Sequence, residues 1–444
     1  MDATWWQAAQ SRPSTVRQEA RTAAAKRDIE EAVQKFRRAI AENPRDAEID
    51  LEFAHFLANV GKYPEAIGMY GECLRLAPNK EAAELGLAEA YRHVHNPDEA
   101  RLVLKSARAH HPKSVAVLKA LGSLELEAES YDTAIEALRA AAVLAPSDEA
   151  LQNLLGSAYL GKGDKEAALA HLQKALAGNP ADTLALFLRA QIYADRNESE
   201  KALGDAEEVV VAQPDNPQGK RLLAKLLIRL KQCERAATLL RPTENPPSLD
   251  SEGLFLLGNA YDCAGKAELA KSAREEFAAA SDRDRQRAEN EIQSKHMYEQ
   301  ANELARQNKF PEALDLLQRA LDKDPRNGFA YSQQAKIFFS MHETDKAKEA
   351  IARAVAIQPY QPDFLYVEGV IAESESKDNE ALAAFEQVTQ INPKEADAYF
   401  EMGRIFAKRK DRARALAAFR KAVQLEPNDP DYKQALAEAS SRPR

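Results

Sequence analysis

The chain has 444 residues, long enough for several ordinary cores or one elongated array, and its 45% apolar and 30% charged composition excludes general disorder. A net charge of −9 and an isoelectric point near 5.6 argue against nucleic acid as the main partner, because phosphate binding needs a broad basic surface. There is no run of about 18 apolar residues, so no membrane-spanning helix is predicted.

Residues 1–12 precede any periodic pattern. Trp5 and Trp6 read either as a cap on the first hairpin or as a contact for a partner or membrane surface. The opening MDATWWQAAQ has no basic stretch followed by an apolar one, so the chain as it stands is expected to be cytoplasmic. Removal of a leader segment beforehand would make it periplasmic or exported.

From residue 13 a period takes over. Prolines fall at 44, 78, 112, 146, 180 and 214, and again at 325, 359, 393 and 427, each 34 residues after the last within its run. Aligned on them, twelve units all carry Ala at their twentieth position, from Ala32 through Ala168 to Ala415, and Gly or Ala at their eighth, as at Gly122, Gly156, Gly258, Gly369 and Gly403. Small residues there let two antiparallel helices approach closely. Apolar residues at positions 4, 7, 8 and 11 form one helical stripe, and those at 20, 24 and 27 a second after a short turn such as GKGD. Each unit is therefore predicted to be a helix hairpin. Its closing proline ends the second helix, and an adjacent Asp, Ser or Asn caps the next.

These residues resemble the tetratricopeptide repeat family. The unit from 149 to 180 carries the pattern as Leu155, Gly156, Tyr159, Ala168, Leu172, Ala175 and Pro180, and the match runs from residue 13 to 427. Position 4 is never Trp, Glu19 stands where Leu is expected in the first unit, and Thr243 replaces Ala in the seventh. The resemblance implies an all-α fold, a right-handed superhelical α-solenoid of about twelve 34-residue repeats. One hairpin cannot bury its apolar face alone, so neighbours must stack.

The expected organisation is an eight-unit array (13–282), a charged helical connector (283–293), a four-unit array (294–427) and a capping helix with its tail (428–444). The segment SDRDRQRAENEIQ from 281 to 293 breaks the register by nine residues, and reads as a lengthened helix or a flexible linker. Three prolines in RPTENPPSLD, 241–250, are expected to shorten the second helix of the seventh unit.

Little chemistry is left over. Cys73, Cys233 and Cys263 are odd in number, far apart and without C-x-x-C spacing, so they are predicted to be free thiols. His93 and His95 lie before the second helix of the third unit and His110 and His111 at its end, roughly 20 Å away at 1.5 Å per residue, so they do not share an ion. No Gly-rich phosphate loop, H-E-x-x-H or G-x-S-x-G occurs, and no segment outside the repeats is large enough for a catalytic domain. The expectation is a non-enzymatic scaffold without metal or cofactor, whose partner is a protein or peptide.

The resemblance places a peptide groove on the first helices, at positions 2, 5, 6, 9, 12 and 13. The family's carboxylate clamp is absent, since Lys119 is followed by Ser123 and Leu154, and its Asn ladder at position 6 is replaced by Ala120, Leu154, Leu188, Leu222 and Leu256. That apolar row is either core shared between helices or a binding strip. Aromatics at position 5 add Phe187, Phe255, Tyr298, Tyr366 and Phe400. In QGKRLLAKLLIRL, Arg221, Lys225 and Arg229 recur at i, i+4 and i+8 on one face. Such a stripe is self-repelling unless acids answer it, either Glu252 and Asp262 from the next unit or an acidic segment of a partner. Rival readings are an exported assembly factor for pilus or polysaccharide secretion, and a substrate-presenting subunit of an enzyme complex.

Overall fold

The computed structural model describes residues 15–241 and 249–441; Trp5, Trp6 and Thr243 lie outside them. Among the described residues there are twenty-four helices and no strand. They alternate as hairpins, with a first helix of 13 residues such as Glu149–Gly161 and a second of 14 such as Lys165–Gly178. This is an all-α helical-repeat solenoid.

Each hairpin depends on one turn residue. Arg27, Gly61, His95, Glu129, Gly163, Asn197, Lys231, Gly265, Asn308, His342, Ser376 and Lys410 all take positive φ, and only three of them are glycine. The left-handed conformation costs a non-glycine residue about 1 kcal/mol. It lets the next N–H reach back five residues, as from Asn96 to the Tyr91 carbonyl at 2.9 Å, so the helix C-terminus is satisfied. His95 thus serves the turn, while His93 stacks on Tyr63 at 4.2 Å.

Packing within the hairpin follows the small residues. The twelve alanines at position 20 are 0–1% exposed. A Cβ added to Gly122, Gly156, Gly369 or Gly403 would stand 2.4, 2.6, 2.7 or 2.5 Å from the side chain of Leu138, Leu172, Phe385 or Phe419. The glycine at position 8 is therefore the space that a large residue at position 24 fills. One departure is Arg189, at position 7 where the pattern wants Leu. It is held by a two-bond pair to Asp205, both at 2.7 Å, with the carboxylate largely buried.

The described residues gather into two units, residues up to 107 together with those from 290 on, and residues 108–289. This division differs from the one that spacing suggests, because the helix Tyr63–Leu76 packs on Asp378–Ile391. Residues 283–293 lie inside one 40-residue helix, Ala267–Arg306. The second helix of the seventh repeat is cut to Cys233–Leu240. At the far end, Pro430–Ser440 lays Tyr432 against Ala396 and Ala422.

The cysteine expectation fails for two of three. Cys233 and Cys263 form a disulfide, with Cα atoms 5.5 Å apart, while Cys73 stays a buried free thiol whose pKa burial raises to about 11. Stacking is the reason. Position 17 of one repeat meets position 13 of the next, the same contact that pairs Lys165 with Asp195 and Asp378 with Lys408, both at 2.8 Å.

Two outcomes are expected. Ala168→Trp overfills its helix contact by roughly 1–3 kcal/mol, so hydrogen exchange will show protection lost around residues 149–214 and kept near 400. Reducing the Cys233–Cys263 bond, which closes a loop of 30 residues, removes roughly 3–4 kcal/mol, measured as earlier urea unfolding of the seventh and eighth repeats under reductant.

Candidate functional site

Two helices set the geometry of the basic stripe. Asp182 caps Thr183–Asp195 by accepting from the Leu184 and Ala185 N–H groups, and Asn216 caps Pro217–Arg229 by accepting from Gln218 and Gly219. Between them lies a groove of about 290 Å3, lined by Phe187, Gln191, Gln218, Arg221, Leu222, Lys225 and Glu252. Phe187, Gln191 and Leu222 are half-buried and Gln218 and Lys225 exposed, so an apolar floor carries amide and ammonium groups at its rim.

The charges on the stripe are answered within the chain. The Arg221 guanidinium binds Asp250 and reaches Glu252 at 3.2 Å, Lys225 Nζ binds Glu252 at 2.6 Å, and Arg229 donates to the Ala194 carbonyl at 2.7 Å. Asp262 takes no part, being paired with Arg274, so Asp250 fills the role expected of it. Arg221 in fact belongs to a recurring tie. The residue at position 5 reaches the carboxylate that caps the following repeat: Arg17 to Asp46 at 3.3 Å, Lys119 to Asp148 at 2.9 Å, Asn153 to Asp182 at 2.6 Å and Arg221 to Asp250. The signal was present in the sequence as a polar position 5 followed by Asp 29 residues on. Lys225 and Arg229 stay exposed outside this tie, Lys225 with half of its side chain open to solvent.

The other expected groove residues divide. Leu256 is core at 4% exposure, and Leu222 packs against the same cluster from its edge. Phe255 is 51% exposed, its ring 5.6 Å from Phe277. In the other unit, Tyr298 sits 6.1 Å from Phe329, Tyr366 lies 5.4 Å from Phe385, and Phe400 is 4.9 Å from Tyr432. Burial raises the Tyr366 hydroxyl well above the usual tyrosine range. These three rings spend their faces on packing.

A second cavity, missed by the sequence reading, lies between the first two repeats. It measures about 760 Å3 and combines Ile29, Phe36, Phe56 and Val60 with Arg21, Arg27, Glu52 and His55. Glu52 receives Arg17 at 2.6 Å and Arg21 at 2.9 Å. Burial by itself would raise this carboxyl, but the hydrogen bonds from Arg21 and Arg17 prevail and hold it at about 2. The clue was Arg17 at position 5 with Arg21 four residues on, the same spacing as Arg221 and Lys225.

Tetratricopeptide repeat models match residues 17–80, 153–217 and 298–362 in one case and 59–124 and 377–439 in another, together well over half the sequence. The chain belongs to the tetratricopeptide repeat family. No curated protein matches the sequence. Among solved structures it is similar to the APC/C hetero-tetramer Cut9–Hcn1, at 15% identity over 98% of this chain and 91% of that one, with a TM-score of 0.37. It is similar also to PilF of Pseudomonas aeruginosa (19% identity, 45% of this chain, 91% of that one, TM-score 0.41). YrrB, described as having an unusual peptide-binding site, gives 24% identity over 41% of this tetratricopeptide chain and 95% of its own, with a TM-score of 0.36. Stacked hairpins of this family act as protein-interaction scaffolds, through the extended surfaces that repetition creates.

The Glu52 cluster sets a pH dependence. Its folded pKa of about 2 lies below the 4.5 of an ordinary glutamate, so its stabilisation is complete above pH 4.5 and lost as pH falls towards 2. Acid titration followed by hydrogen exchange should therefore show the first two repeats losing protection in that window, and Glu52→Gln should flatten the effect.

Proposed function

We propose that this chain is a non-enzymatic scaffold that holds an extended segment of a protein partner across the first helices of its sixth and seventh repeats. The observation that carries this reading is the groove of Phe187, Gln191, Gln218, Leu222 and Lys225. Phe187 and Leu222 offer an apolar anchor point, and an amide side chain both donates to and accepts from a peptide backbone. Exposed Phe255 on the next repeat extends the apolar surface. Charge complementarity is narrower than the sequence suggests. Asp250 and Glu252 balance Arg221 and Lys225, so the groove favours an apolar segment with a single acidic residue that competes with Glu252 for Lys225, in place of a long acidic stretch.

A second reading is an exported assembly factor. The Cys233–Cys263 disulfide supports it, because such bonds persist in oxidising compartments.

Binding and stability are separable here. With peptides selected from a random display library on the intact chain, Phe187→Ala and Lys225→Glu should each weaken binding about tenfold while the chain stays folded with unchanged helicity at the assay temperature. Arg221→Ala should instead lower stability, by up to about 1 kcal/mol, through loss of its tie to Asp250. Selected peptides that bind both groove variants as well as wild type would reject the groove.

A further inference from the structure

Repeat arrays make their contacts between sequence neighbours, and one set of contacts in this chain breaks that rule. The helix Tyr63–Leu76 of the second repeat packs on Asp378–Ile391 of the eleventh. We propose that the second and third repeats and the tenth and eleventh form an intramolecular latch, a polar and separable closure between parts of the array about 300 residues apart in sequence.

The bonds are specific on both sides. Tyr360 donates its hydroxyl to the Gly61 carbonyl at 2.8 Å, at the left-handed turn of the second repeat, and its ring stands edge-on to Tyr63 at 6.0 Å. Asn96 donates its side-chain amide to the carbonyl of Ile391 at 2.8 Å. Ile391 is the last residue of its helix, so that carbonyl has no intrahelical partner. The same Asn96 accepts from the Glu99 N–H at 3.2 Å, so one side chain starts its own helix and finishes a distant one. Lys394 binds Glu99 at 2.7 Å, with the Glu99 side chain only 15% exposed.

Gly68 supplies an independent observation. A glycine inside the helix Tyr63–Leu76 weakens it relative to alanine, and no turn requires one there. It does stand at a close approach of the distant repeat: a Cβ at Gly68 would come within 2.7 Å of Gln390 Nε2, the end of a side chain on Asp378–Ile391. Beside these bonds lies a cavity of about 540 Å3, lined among others by His95, Asn96, Pro359, Tyr360 and Asn392. A closure held by a few side-chain bonds beside an open cavity can separate while each repeat keeps its own core.

The test uses the full chain with a donor–acceptor dye pair at the exposed positions Arg75 and Arg353, attached without thiol chemistry. Wild type should show one high-transfer population. Lys394→Glu, which sets like charges beside Glu99, should move the chain to a low-transfer population at unchanged helicity, and adding Glu99→Lys should restore it. Gly68→Trp should open the latch without rescue by that pair. Low transfer in wild type, or unchanged transfer in Lys394→Glu and Gly68→Trp, overturns the latch; failure of Glu99→Lys to rescue overturns the ion pair's part in it.

Discussion

The structure rests on how closely two antiparallel helices approach within each hairpin. Helices packed through large side chains stay apart, whereas a contact through small ones brings their backbones together. Here the alanines at position 20 are sealed from solvent, and the glycines at position 8 leave the space that Leu138, Leu172, Phe385 and Phe419 occupy. Such a thin hairpin has no core of its own, so its outer apolar face must meet the next hairpin. The turns obey the same constraint. A left-handed residue recurs at each of them even where that residue is not glycine, because the tight reversal brings the two helices into register.

Stacking then has to be fixed in orientation, and the polar ties do this. Asp148 caps its helix by accepting from the Leu151 N–H at 2.9 Å and also receives Lys119 of the preceding repeat. Asp250 does the same for Gly253 and Arg221. One carboxylate thus satisfies a helix N-terminus and holds the neighbouring repeat, a combination worth more than a free surface ion pair because the anion is already positioned by the backbone. Cys233 and Cys263 make a covalent version of a contact that Lys165–Asp195 and Asp378–Lys408 make electrostatically.

What remains for a partner is the surface that neither stacking nor these ties consume. Around the seventh repeat it is a small groove in which Phe187 and Leu222 lie among amide and charged groups, and the array's charge balance there is nearly closed by its own acids. The aromatic residues of the ninth, eleventh and twelfth repeats look equally exposed by position, yet their rings lie on Phe329, Phe385 and Tyr432. The proposed binding groove therefore lies where packing left side chains unspent.

The sequence by itself determined the hairpin, its period, its small-residue contacts and its caps, because each of these depends on spacings of a few residues repeated every 34. It also placed Phe187, Arg221, Leu222 and Lys225 near one another, since positions 5, 6 and 9 of adjacent first helices share a face. Contacts between neighbouring repeats were legible only in part: Glu252 was expected to answer the basic stripe, but Asp250 and not Asp262 shares that task, because a cap is held in place and Asp262 is nearer Arg274. The disulfide could have been read from positions 17 and 13 once the stacking offset was known, but spacing alone, without that offset, left the two cysteines apart. Tertiary structure alone decided which aromatic rings pack, and that Tyr360, Asn96 and Lys394 bond across the chain. Those contacts join residues about 300 apart in sequence, where the repeat's own periodicity carries no information and only the accumulated geometry of the stacked hairpins sets which surfaces meet.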